Sequence, residues 1–530
     1  MKEFRRLTSG YGTVRSARMT ADCRTIVYAA AWEGGELQLY RTDCEGHETR
    51  PLGLTRAGIL AIPKGEEYAV ALRRQSLRGY VNAGTLALVR PDGEVVREIM
   101  EDVQWADWPA GGGEGAAVVR DVGGMNRLEC PPGHTLFETS GWISHPRFSP
   151  GGEAIAFLDH PIPADDRGAV AVVGRDGKVF RPSEDWGSLQ GLAWSARGDE
   201  IWFTASREGN ARALYGVTPS GRLRAIIRTE GSLTLYDVSR DGRALLSSDN
   251  TRLGIICLLP GETRERDLSW RDWSVIRDIT DDGGAILFTE AGQGGGAQYG
   301  VFLRRTDGAL ADFLGPGSAL ALSPDGRLAL AVSRASGSRL VLLPTRGGAA
   351  AVELEGGGIT HHPWGCWYPD GKRVLFVGYE HGRGTRLYVQ DVAGGGPRLV
   401  SDEGVSILSP HSISPDGRVA AATTPDHGIC LFPLEGGEPR RAAGVQPGDV
   451  PVRWSGDGRS LYVFERRRLP ASVCRVAPAD GRRELLRELS PPDPVGVHEI
   501  IRVLLTPDLR AYAYTYSYDL SDLYLAEGLA

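Results

Sequence analysis

Two residues with complementary chemistry stand close together in Ser144-His145-Pro146-Arg147-Phe148. On a strand, side chains two apart share a face, so His145 and Arg147 would look into the same space. A His and an Arg there could hold an anion or a carboxylate. The structural alternative is pairing with an Asp of a neighbouring segment, since such polar groups find partners when buried. Trp105 and Asp107 are candidates for the same face. A second group is His361, His362 and Trp364. Adjacent His side chains on a strand point to opposite faces and rarely share one metal, so no metal ligand is assigned. The pairs Trp105/Trp108, Trp270/Trp273 and Trp364/Trp367 are each three apart. They read as packing, with a minority free to stack on a sugar or peptide.

Catalytic patterns are missing where they would be needed. No GxSxG pentad offers a nucleophile elbow. Gly292-Gln293-Gly294-Gly295-Gly296-Ala297 imitates a dinucleotide fingerprint but has no βαβ unit around it. Asp159, His160, Asp165 and Asp166 share one loop without EF-hand spacing and read as solvated groups. The seven cysteines are scattered, with no CxxC pair, so neither a disulfide framework nor a zinc site is expected. No catalytic residue, metal or cofactor is assigned, and the protein reads as a non-enzyme.

The elements that position these residues come from a repeated turn. In Ser323-Pro324-Asp325-Gly326, Pro presets φ at the second position and Gly tolerates positive φ, and the apolar run Leu328-Ala329-Leu330-Ala331-Val332 follows. Copies of this turn, some decayed, begin at Thr20, Pro63, Pro109, Ser149, Ser195, Ser239, Thr280, Ser323, Tyr368, Ser414, Ser455 and Thr506, spaced 40 to 51 residues apart. That period belongs to the four-stranded blade of a β-propeller. No sustained helical periodicity interrupts it. The fold class is all-β, with about twelve four-stranded blades. One ring typically holds four to eight, so two six-bladed rings in tandem are the simplest division. The expected domains are residues 10–272 and 273–530, with the junction near Trp270 and Trp273. The last unit lacks a fourth strand, and residues 1–9 supply a spare segment expected to complete it.

These units resemble the WD40-like repeats of TolB-type propellers. The stretch opening Arg97-Glu98-Ile99-Met100, the stretch Gly141 to Pro150 and the ending Ala511 to Leu525 are similar to the C-terminal propeller region of Acidobacteria-type bacterial serine/threonine kinases. The resemblance implies a sensor or interaction module. It does not carry kinase activity: no Gly-rich loop with a strand Lys and no HRD segment is present, and Leu314 interrupts the DFG-like Asp312-Phe313-Leu314-Gly315.

A net charge of −7 gives no global field for nucleic acid, and Arg466-Arg467-Arg468 is the one dense basic run. No apolar run is long enough to span a membrane and no signal peptide is visible. The chain as it stands is therefore expected in the cytoplasm, or outside it if it is a fragment of a membrane receptor. The expected function is a non-catalytic scaffold for ligand sensing or protein interaction. Its partner would be a small molecule, protein or peptide at the propeller face. The alternative is a hydrolase or lyase working through polar residues of a central channel.

Overall fold

The computed structural model describes residues 2–63, 67–109, 115–162, 165–229, 231–292, 294–296, 298–333, 338–347, 350–380, 383–424, 426, 428–466 and 468–529. Lys64 to Glu66, Ala110 to Glu114, Gln293, Ala297 and Arg467, all within stretches discussed above, lie outside these. Among the described residues every regular element is a strand, no helix is long and apolar enough to cross a membrane, and all seven cysteines are free thiols.

The recurrent turn explains how the strands are delivered. The Ser323 hydroxyl donates to Asp325 Oδ1 at 2.6 Å and accepts the Leu328 N–H at 2.9 Å. Asp325 accepts the Arg327 N–H at 3.0 Å, and Gly326, at φ 68°, donates to the Ser323 carbonyl. One Ser and one Asp thus satisfy the backbone of a reversal that joins the first and second strands of a blade. Ser414/Asp416, Ser455/Asp457 and Thr506/Asp508 repeat it.

The chain forms two compact units, Met1–Thr251 with Asp519–Ala530, and Arg252–Tyr518. In the first, six antiparallel sheets follow one another. They begin with the innermost strands Gly12–Met19, Gly58–Ala61, residues 103–107, Trp142–Phe148, Ser188–Trp194 and Ser232–Val238. The second and third sheets are joined because the strand Val95–Asp107 ends one and begins the other. Each innermost strand contacts the next, and the sixth meets the first, so the unit closes as a six-bladed propeller.

The second unit is built the same way. Its innermost strands are Ser274–Ile279, Ser318–Leu322, His361–Trp367, Asp449–Trp454 and Val497–Leu505. In its fourth sheet the inner edge is reduced to bridges at Ser406 and Ile413. Buried side chains fill the wedges between blades: Leu287 and Val301 pack against Ala319, Ala329 and Val341. The third and fourth sheets share Leu375, Val377, Ile413 and Ala420.

The domain limits differ from those expected at 10–272 and 273–530. Strand Ala244–Leu258 runs for 15 residues and Tyr512–Glu527 for 16, each without a turn. Residues 244–251 are the second strand of the first unit's sixth blade, and 252–258 continue as a third strand in the second unit. Residues 512–518 and 519–527 make the reverse exchange. The N-terminal strand Glu3–Arg6 does pair with the last strand, Glu3 opposite Glu527 and Arg6 opposite Tyr524. That part of the strand belongs to the first unit, so residues 3–6 complete a blade there. Gly254 has a structural reason to be Gly: a Cβ would lie 2.6 Å from the Tyr516 ring.

Candidate functional site

The position two residues before each turn carries the chemistry. Around the first propeller it reads Arg18, Ala61, Asp107, Arg147, Ala193, Asp237. The order Arg, Ala, Asp therefore occurs twice around the ring. The Asp members clasp adjacent blades: Asp107 Oδ2 accepts the Phe148 N–H at 2.8 Å and Asp237 Oδ2 accepts the Met19 N–H at 3.0 Å. Asp107 is thus committed to the backbone of the next blade. Its carboxyl is held above the ordinary range by burial, which Arg147 and Arg18 oppose.

The Arg members converge. Arg18 Nη1 donates to the Tyr236 carbonyl at 2.9 Å and Arg147 Nη2 donates to the same oxygen at 3.1 Å. Each also donates Nη1 to the carbonyl of the preceding residue, Ala17 and Pro146. Arg18 is 4% exposed, and its Nε and Nη2 have no hydrogen-bond partner; Arg147, 6% exposed, leaves Nε unpartnered. Nε and Nη2 form the side-on edge of a guanidinium, the pair of parallel N–H groups that matches a carboxylate. Burial and then the Arg147 charge push Arg18 down to about 9, so it stays cationic at neutral pH.

His145 does not join Arg147 on one face. It has φ 51°, and the strand is bulged between Ser144 and Arg147, which breaks the alternation. Instead it sits in a relay of hydrogen bonds with one consistent direction. Gly191 N–H donates to His145 Nε2 at 3.3 Å, so Nδ1 carries the proton and donates to Ser144 Oγ at 2.9 Å. Ser144 donates to His160 Nε2 at 2.9 Å, and His160 Nδ1 donates to the Arg167 carbonyl at 3.1 Å. Burial drives His145 well below its ordinary pKa and His160 to about 4, so both stay neutral. Gly191 is needed at this approach, having φ +69° and room for no Cβ, which would lie 2.2 Å from the Leu235 carbonyl oxygen. Trp105 packs on the His145 ring at 4.1 Å. His145 thus meets Ser144, Gly191 and the Trp105 ring.

A second polar cluster lies in the same propeller. Arg212 reaches Asp249 at 3.3 Å and Asp166 at 3.8 Å, and Arg15 reaches Asp519 at 3.2 Å. Ser188 donates to Asp166 and Thr251 to Asp519. Burial raises Asp166 to about 6 and also raises Asp519. Of the four residues read as solvated loop groups, Asp159, His160 and Asp166 are buried, and Asp159 and His160 end the strand Ala154–His160. No group of three or more His, Cys, Asp or Glu able to hold a metal occurs among the described residues.

In the second propeller, His361 and His362 do face different surroundings. His361 Nδ1 is 3.1 Å from Thr360 Oγ1, while His362 is buried against Phe376 with Nδ1 3.2 Å from Ser338 Oγ. Burial lowers His362 to about 4. Trp364 is different: the guanidinium carbons of Arg502 and Arg277 lie 4.0 and 5.7 Å from its ring centroid. Arg18, Tyr236 and Asp237 were missed in the first propeller and Arg277 and Arg502 in the second. For Arg18 and Asp237 the signal was available, because both precede a turn by two residues, as Arg147 does.

No family model matches the chain. No curated protein matches it either. Among solved structures it is similar to TolB of Agrobacterium tumefaciens, at 18% identity over 51% of this chain and 99% of that one, with a TM-score of 0.40. The tricorn protease is 12% identical over 97% of this chain and 57% of that one, with a TM-score of 0.33. Oligogalacturonate lyase of Vibrio parahaemolyticus is 14% identical over 73% of this chain and 93% of that one, with a TM-score of 0.31. The propeller assignment rests on the sheets and their closed order.

Proposed function

We propose that the protein is a non-catalytic binding scaffold whose first propeller holds the carboxylate of a small ligand on its central arginines. The observation that carries this reading is the buried side-on edge of Arg18, which has no acceptor, beside a second guanidinium on the same carbonyl. A buried donor without a partner is costly, and a charged one more so, which makes an anion the natural complement. The resemblance to sensor propellers of bacterial kinases agrees with a receptor role but does not supply the ligand.

The test is calorimetric titration of the full chain with citrate and succinate. Binding that Arg18→Gln weakens by about 10- to 100-fold, the size of a charged hydrogen-bond pair, supports the reading. Binding unaffected by Arg18→Gln and Arg147→Gln contradicts it. A second reading, a hydrolase or lyase, is favoured by Asp166 and Asp519, buried carboxylates that titrate upward toward neutral pH. Turnover of a polymeric or ester substrate that Asp166→Asn abolishes would favour that reading over the scaffold.

A further inference from the structure

We infer that the ligand of the first propeller is a dicarboxylate, with one carboxylate on the Arg18 edge and the other on Arg74. The inference rests on the carboxylate reading above and adds a second contact to it. Arg74 lies in Tyr68–Arg78, the second strand of the second blade. That strand is bulged between Leu72 and Gln75, and Arg73 stands at φ 52°. The bulge breaks the alternation of the two arginines. Arg73 turns outward and holds Glu98 through two hydrogen bonds of 2.7 Å. Arg74 turns inward, onto Gly58 at the start of the innermost strand Gly58–Ala61. A Cβ on Gly58 would lie 2.7 Å from Arg74 Nη1 and 3.5 Å from Ser16 Oγ of the first blade, so Gly is what leaves room for the guanidinium.

Arg74 is half-buried, and among the described residues no hydrogen bond or ion pair engages its guanidinium. The charge next to it is another cation, Arg15, which Asp519 holds at 3.2 Å. Burial and then the Arg15 charge lower Arg74 to about 10, so it stays cationic at neutral pH. A guanidinium in that setting lacks its natural complement, an oxyanion.

The two arginines meet the strand Gly12–Met19 at different levels. Arg74 approaches it near Ser16, and Arg18 is its next residue but one. No bulge falls between Ser16 and Arg18, so the step is about 7 Å of extended strand. Tyr236 spans the same step. Its carbonyl accepts Arg18 and Arg147 at one end, and its hydroxyl donates to the Val14 carbonyl at 3.1 Å at the other. Two carboxylates joined by a short carbon chain reach both levels, whereas a monocarboxylate reaches one.

The experiment is calorimetric titration of the full chain with propionate and succinate, which differ by one carboxylate. Succinate should bind at least tenfold more tightly. Arg74→Gln should bring succinate down to the affinity of propionate and leave propionate unchanged, while Arg18→Gln weakens both. Gly58→Ala is a second variant: its Cβ displaces the Arg74 guanidinium without removing a charge, so it should lower succinate affinity in the same way. Equal affinity for the two acids overturns the dicarboxylate inference. So does succinate binding that Arg18→Gln weakens and that Arg74→Gln and Gly58→Ala leave unchanged; in both cases the carboxylate reading of Arg18 survives. Binding of neither acid, or binding that Arg18→Gln leaves unchanged, overturns that reading and the inference together.

Discussion

The two propellers solve one scaffold problem with different centres. Two residues before the turn, the first reads Arg18, Ala61, Asp107, Arg147, Ala193, Asp237, whereas the second reads Asp278, Ala321, Cys366, Ser412, Arg453, Leu504. The inter-blade clasp is kept: Asp278 accepts the Leu322 N–H as Asp107 accepts that of Phe148. The balancing charges are not. The first centre holds two arginines and two aspartates, and fixes the arginines on one backbone carbonyl. In the second, Arg453 at the equivalent position also donates to a backbone carbonyl, that of Leu505 at 2.6 Å, and a further arginine, Arg502, lies over the Trp364 ring. Clasps thus belong to the fold, while the number and placing of the arginines vary between rings.

The comparison breaks first if the rings are not equivalent scaffolds. Phe203 in the first and Phe376 in the second are both buried between strands. Truncation of either to Ala should cost about 3–5 kcal/mol in denaturant unfolding. A cost below about 1 kcal/mol in one ring would deny that its core is packed like the other. Next in size is deletion of residues 1–9, which removes the ladder from Glu3–Glu527 to Arg6–Tyr524. The melting temperature should fall by several degrees, and hydrogen exchange should rise in 519–527 and 244–251. Increased exchange confined to 497–505 and 512–518 would place the strand in the second propeller instead.

A smaller effect concerns acid. Asp166 titrates at about 6 when folded, above its ordinary 3.8. Its favourable contribution is full below 3.8 and is lost as pH rises through 6, so this group makes the first propeller more stable near pH 4 than at pH 7. The difference is on the order of 2 kcal/mol by linkage. Asp166→Asn should flatten stability between pH 4 and 6; an unchanged slope there rejects the assignment. Smallest is the turn carboxylate Asp325, whose pKa is lowered first by the Ser323 hydroxyl and then by the Arg327 N–H. It acts in the opposite sense, with stability present above 3.8 and lost as pH falls further. Since it is exposed, Asp325→Ala should cost less than about 1 kcal/mol, measured by thermal melts at pH 7 and pH 3. A larger loss would mean that the turn governs folding of its blade.

The propeller was legible because its turns are chemical. Ser, Asp and Gly at fixed offsets recur wherever the backbone must reverse, and apolar runs follow them. The two-unit division was misplaced because it depends on strands that omit a turn. Ala511 to Leu525 contains neither Gly nor Pro, which was the available sign that Tyr512–Glu527 is continuous. Of the site residues, Arg147 and Trp364 lie within the arginine clusters, and Asp107 lies beside one. Simple alternation makes His145 a candidate on the face of Arg147, and a bulge with positive φ at His145 breaks that alternation. Arg502 could not be found from local spacing, since its partner Trp364 is 138 residues away and on another blade.

The central claim is that the orphan edge of Arg18 is a carboxylate site. Calorimetric titration of the full chain with citrate, comparing wild type with Arg18→Gln, tests it most directly. The account predicts one binding event tied to the first propeller whose affinity falls about 10- to 100-fold in the variant, while Arg502→Gln leaves it unaltered. Equal affinity in wild type and Arg18→Gln, or no citrate binding in either, would contradict it.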